Sequence, residues 1–156
     1  MIPKEIISAL QSYWKTNGLN TQILNTSSLG GGSINRAYMV ETSSGAFFIK
    51  VNTDQAHPQM FASEFKGLEL MASTHSIRIP KPLHFYEGIV YSCIVLEYIE
   101  QKGQRVDFWQ QFSQGLAKMH QQSAKSFGLP FDNFMGSLPQ SNTSHDNFVD
   151  FFIAER

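Results

Sequence analysis

One cysteine, Cys93, stands in the whole chain, which excludes a disulfide framework and any CxxC metal or redox pair and fits a reducing compartment. Runs of one charge are also missing. Twelve basic and thirteen acidic side chains leave a net charge of −1, with no lysine and arginine cluster able to track phosphates along a duplex, so nucleic acid is a poor partner. No segment approaches the roughly 18 apolar residues of a membrane span. Lys4, Glu5 and Ser8 interrupt the N-terminal apolar residues, so the core of a signal peptide is absent too. A cytoplasmic protein without a membrane partner is the expectation. The five histidines show no HExxH or paired spacing, which gives no metal site, and there is no internal repeat. What remains is an ordinary globular composition: 156 residues, 42% apolar, 13% aromatic and 16% charged, enough for one well-filled core.

Ile2, Ile6, Leu10 and Tyr13 or Trp14 recur at helical spacing until Asn17-Gly18, predicting an amphipathic helix over 3–16 that covers the core. Three strand-like runs follow, at 21–29, 35–42 and 46–52, the last two joined by the hairpin turn TSSG. A helix is predicted to start near Pro58 and to run into the segment broken by Pro80 and Pro82. HFYEG and IVYSCIVLEYI then read as two more strands, the second apolar enough to be central, which makes a sheet of five. Trp109, Phe112, Leu116 and Met119 mark a helix through about His120, where a helical part of the molecule begins. Residues 126–145 are turn-rich and read as irregular, and DNFVDFFIAER opens a last helix.

The glycines Gly30, Gly31 and Gly32 join two strands rather than a strand and a helix. That argues against the phosphate loops that depend on a helix N-terminus. The remaining arrangement is a Gly-rich hairpin lying over a nucleotide, where residues without side chains let backbone N–H groups approach phosphates. Such a flap calls for a lysine on the next strand, and Lys50 ends GAFFIK. A strand lysine is ordinarily a solvated residue on an exposed face. Here a helical wheel of residues 59–74 places Glu64 inside the arc of Phe61, Phe65, Leu68 and Ala72, so a buried carboxylate in need of a cation is expected opposite Lys50. VLEYIE ends an apolar strand at a polar link; in a kinase-like fold such a link is the hinge, where the carbonyl of Glu97 and the N–H of Ile99, with Tyr98 between them, would meet a base edge. Cys93 reads as a small core residue.

Together GGGSINRAY, FFIKVN, MFASEFKGLELMAST, IRIPKPL, VLEYIE and FGLPFDNFMGSLPQSN resemble the fructosamine-3-kinase (ketosamine-3-kinase) family, from about residue 25 onwards. That family sits in the wider protein-kinase-like group with aminoglycoside and choline phosphotransferases. The resemblance implies an α+β fold: a protein-kinase-like N-terminal lobe over 1–100, with a five-stranded antiparallel sheet, a packed helix and a hinge near 97–100. The start of a helical C-terminal lobe over 101–156 would follow. It implies ATP-dependent phosphorylation, with magnesium, of the 3-hydroxyl of a ketosamine such as fructosamine or ribulosamine on a small molecule or protein lysine. By matched position Gly30, Gly31, Gly32, Ser33 and Asn35 would form the phosphate flap, Lys50 the phosphate lysine, Glu64 its partner, and Glu97, Tyr98 and Ile99 the adenine hinge.

Family members continue into a lobe whose catalytic loop supplies a base aspartate and whose next strand supplies a metal-binding aspartate, and this chain has neither. His120 is followed by Gln121 and Gln122. FDNF matches the metal-binding DFG sequence only superficially, since the resemblance places it ahead of the catalytic loop, and Asp132 and Asn133 are expected to cap or hydrogen-bond a turn. The chain by itself is therefore expected to bind nucleotide without turnover, with Phe148, Phe151 and Phe152 exposed and open to self-association. Two other readings stay open: a related phosphotransferase acting on an aminoglycoside or amino alcohol, and a non-catalytic nucleotide-binding or interaction module.

Overall fold

In the computed structural model of the chain the described residues are 1–30, 35–53 and 59–156. Helix α1 (Lys4–Thr16) carries Ile6, Leu10 and Trp14 at intervals of four, and all three are buried. It ends as the Asn17-Gly18 pair predicts: Gly18 adopts φ +71°, and the Leu19 N–H returns to the Trp14 carbonyl at 2.8 Å. Strands β1 (Ile23–Leu29), β2 (Arg36–Thr42) and β3 (Gly45–Asn52) form the expected antiparallel meander. Helix α2 (Met60–Ser73) follows. Its predicted start at Pro58 lies outside the described residues. Strands β4 (Pro82–Glu87) and β5 (Ser92–Glu97) complete a five-stranded sheet in the order β1-β2-β3-β5-β4. The apolar strand β5 is thus internal. Pro82, which cannot donate to a ladder, opens the edge strand β4.

Alternation along the strands divides the core in two. Tyr38, Val40, Ile49, Val51, Cys93 and Val95 face α1 and pack with Ile6, Leu10 and Trp14. Ile94 and Leu96, with Phe48 and Phe85 beside them, face α2 and pack with Phe61, Phe65 and Leu68. Helix α1 is further tied to the β4 edge, where Tyr13 Oη donates to the Leu83 carbonyl at 3.0 Å and Tyr86 Oη donates to the Glu5 carboxylate at 3.2 Å. Cys93 lies fully inside the α1 face, and burial pushes its thiol pKa up to about 12. The native protein should therefore resist a chromogenic disulfide reagent at neutral pH, with one thiol titrating only after denaturation.

Helix α3 (Phe108–His120) forms as predicted, but none of its residues is buried. Phe108 and Phe112 stack at 6.1 Å between centroids, Trp109 meets both edge-on at 5.0 and 6.4 Å, and Trp109 is 67% exposed. The helix meets the rest of the molecule at Gly115, where an added Cβ would lie 2.4 Å from Ile77 Cγ2 and 2.8 Å from the Ser76 carbonyl. The segment read as irregular contains a small antiparallel hairpin, β6 (Asn133–Met135) and β7 (Leu138–Gln140). Helix α4 (Phe148–Glu155) is capped by Asn147, whose Oδ1 accepts from the Asp150 N–H at 2.9 Å. Phe148 and Phe152 are exposed as expected. Phe151 is not: it is buried, with the Arg156 guanidinium 4.7 Å above its ring.

Hydrogen bonds from Ser141, then His145 and Thr143, hold the Glu155 carboxyl below its ordinary 4.5, at about 2. A folded-state pKa below the unfolded one stabilises the protein above pH 4.5, and that contribution is lost as the pH falls from 4.5 towards 2. Thermal midpoints measured across this window should fall more steeply for the wild type than for Glu155→Gln, which has no carboxylate to protonate.

Candidate functional site

The sheet register sets Leu29, Ala37, Lys50 and Ile94 side by side across β1, β2, β3 and β5. The Gly-rich segment leaves β1 at Leu29 and re-enters β2 at Arg36, so it joins adjacent antiparallel strands at the end of this row. With neighbouring strands about 4.8 Å apart, Lys50 lies roughly 10 Å across the sheet from the start of the loop. Gly31, Gly32 and Ser33 lie outside the described residues. At Gly30 a Cβ would meet no atom within 4 Å, so packing within the described protein does not require glycine there.

Lys50 shares the α2 face with Phe48, and α2 brings Glu64 onto it. The Lys50 Nζ donates to both carboxylate oxygens of Glu64 at 2.8 Å. The pair expected from the helical wheel is formed, but the expected burial is not. The side chains are 27% and 28% exposed, because only Met60 and Phe61 of α2 are fully buried, and a cavity opens beside Glu64. A helical wheel gives direction but not distance from the opposing surface.

Two cavities flank this face. One of about 450 Å³ is lined by Asn35, Lys50, Glu64 and Ser63 on one side and by Phe131 and Asn133 on the other. Asn35 Oδ1 is buried there without a hydrogen-bond partner among the described residues, an arrangement that suits a donor from a ligand or water. The second, about 330 Å³, is walled by Leu29, Phe48, Pro80 and Leu96 and bordered by Glu97, Tyr98 and Ile99. Its size and apolar walls suit a small planar ring system. Among the described residues no group of three or more His, Cys, Asp and Glu side chains could hold a metal ion.

Residues 6–156 match the model of the fructosamine kinase family. The chain belongs to the fructosamine kinase family. Similarity therefore begins within α1, well before the residue near 25 suggested by the motifs. A ketoamine kinase assigned in Synechocystis is 36% identical over 147 residues, covering 94% of this chain and 50% of that protein. The chloroplastic protein-ribulosamine 3-kinase of Arabidopsis thaliana is 38% identical over 150 residues, covering 94% of this chain and 45% of that one. A crystal structure from Haemophilus somnus 129PT, assigned as a fructosamine-3-kinase, superposes with a TM-score of 0.82 at 25% identity, over 94% of this chain and 50% of that one. The chain spans about half the length of these relatives. An α+β, kinase-like architecture with a five-stranded antiparallel sheet is common to the fructosamine kinase chain and its structural neighbours.

Within this family member the link after β5 is well anchored. The Glu97 N–H donates to the Lys81 carbonyl at 2.9 Å, and its carboxylate accepts from the Lys81 N–H at 3.3 Å and from Arg78. The side chain of Glu97 is thus part of the scaffold. Asp132 and Asn133 take up the turn role expected of them: Asp132 Oδ1 accepts from the Asn142 N–H at 2.8 Å, and Asn133 Oδ1 accepts from Asn142 Nδ2 at 2.9 Å. Sequence reasoning missed Phe48 and Leu96 as cavity walls, although both share the strand face of Lys50 by alternation. It also missed Ser63, Phe131 and Asn133, whose placement beside Glu64 depends on a contact distant in sequence.

Proposed function

We propose that the chain is the nucleotide-binding part of an ATP-dependent ketosamine 3-kinase, with residues 1–100 as the binding lobe, a hinge near 97–100 and residues 101–156 as the beginning of a helical lobe. The observation that carries this reading is the bidentate Lys50–Glu64 pair, on the same sheet face as Phe48 and Leu96 of the apolar slot. Glu64 keeps the ammonium of Lys50 on the open face of the sheet, where it would meet α- and β-phosphate oxygens. Gly30, Gly31, Gly32 and Ser33 would offer backbone N–H groups, and Asn35 a polar side chain, to the same phosphates. The Glu97 carbonyl and the Ile99 N–H would take the adenine edge, with Tyr98 between them and Leu29, Phe48 and Leu96 as the walls. Bound ATP supplies the phosphoryl group. Magnesium would draw its ligands from elsewhere, since no group of three or more His, Cys, Asp and Glu side chains among the described residues could hold it.

The names of the relatives favour a ketosamine, on a small molecule or a protein lysine, over an aminoglycoside or amino alcohol as acceptor. The single buried thiol suits a reducing compartment such as the cytoplasm. No helix among the described residues is long and apolar enough to cross a membrane. Nucleotide binding is tested by thermal unfolding with and without ATP or ADP, each with and without magnesium. A ligand at 100 times its Kd adds about 2.7 kcal/mol, or several degrees in Tm. No shift at millimolar nucleotide would count against the reading.

A further inference from the structure

Next to the Lys50–Glu64 pair, helix α2 is tied to the segment that leads into the hairpin β6–β7. Ser63, the residue before Glu64, donates from Oγ to the main-chain carbonyl of Asp132 at 3.0 Å. One turn along α2, Lys66 Nζ lies 5.7 Å from the centre of the Phe131 ring. These contacts join α2 to a segment almost seventy positions away in the chain, next to the carboxylate that holds Lys50.

The segment is itself built to be rigid at this point. Asn142 is buried, its N–H donates to Asp132 Oδ1 at 2.8 Å, and its Nδ2 donates to the Phe131 carbonyl at 3.1 Å and to Asn133 Oδ1 at 2.9 Å. Its Oδ1 accepts from Arg156 Nη2 at 2.7 Å, while Arg156 Nη1 donates to the Ser141 carbonyl at 2.7 Å. The Asn142 side-chain amide thus ties the residues on either side of Asp132, its backbone N–H holds the Asp132 carboxylate, and the main-chain carbonyl of the same Asp132 receives Ser63. A fully satisfied polar network of this kind has one geometry.

Helix α2 needs such a support. Only its first turn is fully buried, Phe65 and Leu68 are partly buried against the sheet, and the cavity of about 450 Å³ lies beside Glu64, so the side of the helix that carries Ser63 and Glu64 is covered by the hairpin segment rather than by the sheet. We infer that the hairpin is a strut for α2, that Ser63 is a positioning residue acting through Glu64, and that Asn142 sets the strut. The ion pair is then coupled to the part of the molecule beyond the hinge. This inference rests on the nucleotide-site reading only for its consequence in binding, since its structural content concerns the pair itself.

The test begins without nucleotide. An amine held by two carboxylate contacts is acylated slowly, so Lys50 modification by a succinimidyl ester is followed by peptide mass spectrometry, with the exposed Lys125 as internal reference. Ser63→Ala should raise the Lys50 rate relative to Lys125 by about 2- to 10-fold, the range set by one net hydrogen bond. Ser63→Thr, which keeps the hydroxyl, should restore the wild-type ratio. In a Glu64→Gln background Ser63→Ala should add nothing, because the route through Glu64 is already cut. Apparent nucleotide Kd, measured on the same proteins, should rise by a similar factor in Ser63→Ala alone. An unchanged Lys50 ratio in Ser63→Ala, or an equal increase in the Glu64→Gln background, overturns the strut. A wild type that binds no nucleotide overturns the proposed function while leaving the labelling result to decide the strut.

Discussion

Lys50→Ala should abolish the nucleotide-induced rise in Tm while leaving the unliganded protein nearly as stable as the wild type. The two effects separate because they draw on different physics. The side chains of the pair are 27% and 28% exposed, so water already solvates part of each charge, and losing the contact should cost about 1 kcal/mol of stability. The phosphates, in contrast, would lose the only cation that the α2 face of the sheet presents beside the Gly-rich loop among the described residues. Affinity should fall at least about tenfold, equivalent to about 1.4 kcal/mol. Lys50→Arg should not rescue it, since a planar fork pairs with Glu64 in a different geometry and carries its charge farther from the strand. Isothermal titration with ADP, alongside thermal unfolding of both variants, measures the two quantities independently. Retained affinity in Lys50→Ala would move the phosphates elsewhere.

Phe61→Ala should do the reverse, damaging stability first and binding in consequence. Phe61 is fully buried in the first turn of α2 and packs with Ile94 and Leu96. Truncating a core phenylalanine costs about 3–5 kcal/mol through lost transfer energy and the cavity left behind. Against a total stability of about 5–15 kcal/mol for a domain, that is enough to populate unfolded protein on mild heating. Chemical denaturation should show a lower midpoint with an unchanged m-value. Phe61→Leu should recover most of the loss, because it refills the site with apolar volume. Since Glu64 follows Phe61 by three positions on the same helix, nucleotide affinity should fall even where the protein remains folded.

Both predictions depend on features that the sequence carries unequally. The sheet was legible because strand alternation and the hairpin turn TSSG each point to one arrangement, and the apolar run of β5 marked it as internal. The pairing of Lys50 with Glu64 was legible from a cation on an apolar strand and a carboxylate within an apolar helical arc. Its burial was not, because the arc says nothing of the cavity between α2 and the hairpin. That hairpin was the main omission: its strands are three residues each, too short for any period, and it is held by Asp132, Asn133 and Asn142 through side-chain bonds rather than by hydrophobic patterning. Phe151 was misplaced for a similar reason, since its cover comes from Arg156, the His145 ring and the chain at Gly128, none of which hydrophobic patterning marks. The aromatic stripe of α3 showed the helix but not the absence of a buried face.

The alternation that divides the core also bears on how the sheet finds its register during folding. Slipping β3 by one residue would turn Lys50 towards α1, where Val40, Cys93, Val95 and Trp14 offer it no anion, and would leave Ile49 facing the open cavity. Burying an unpaired ammonium in that environment carries a desolvation cost that disfavours the misaligned pairing. Lys50 therefore also marks the register, and the proposed nucleotide site would be assembled as a by-product of the strand pairing that keeps this lysine out of the core.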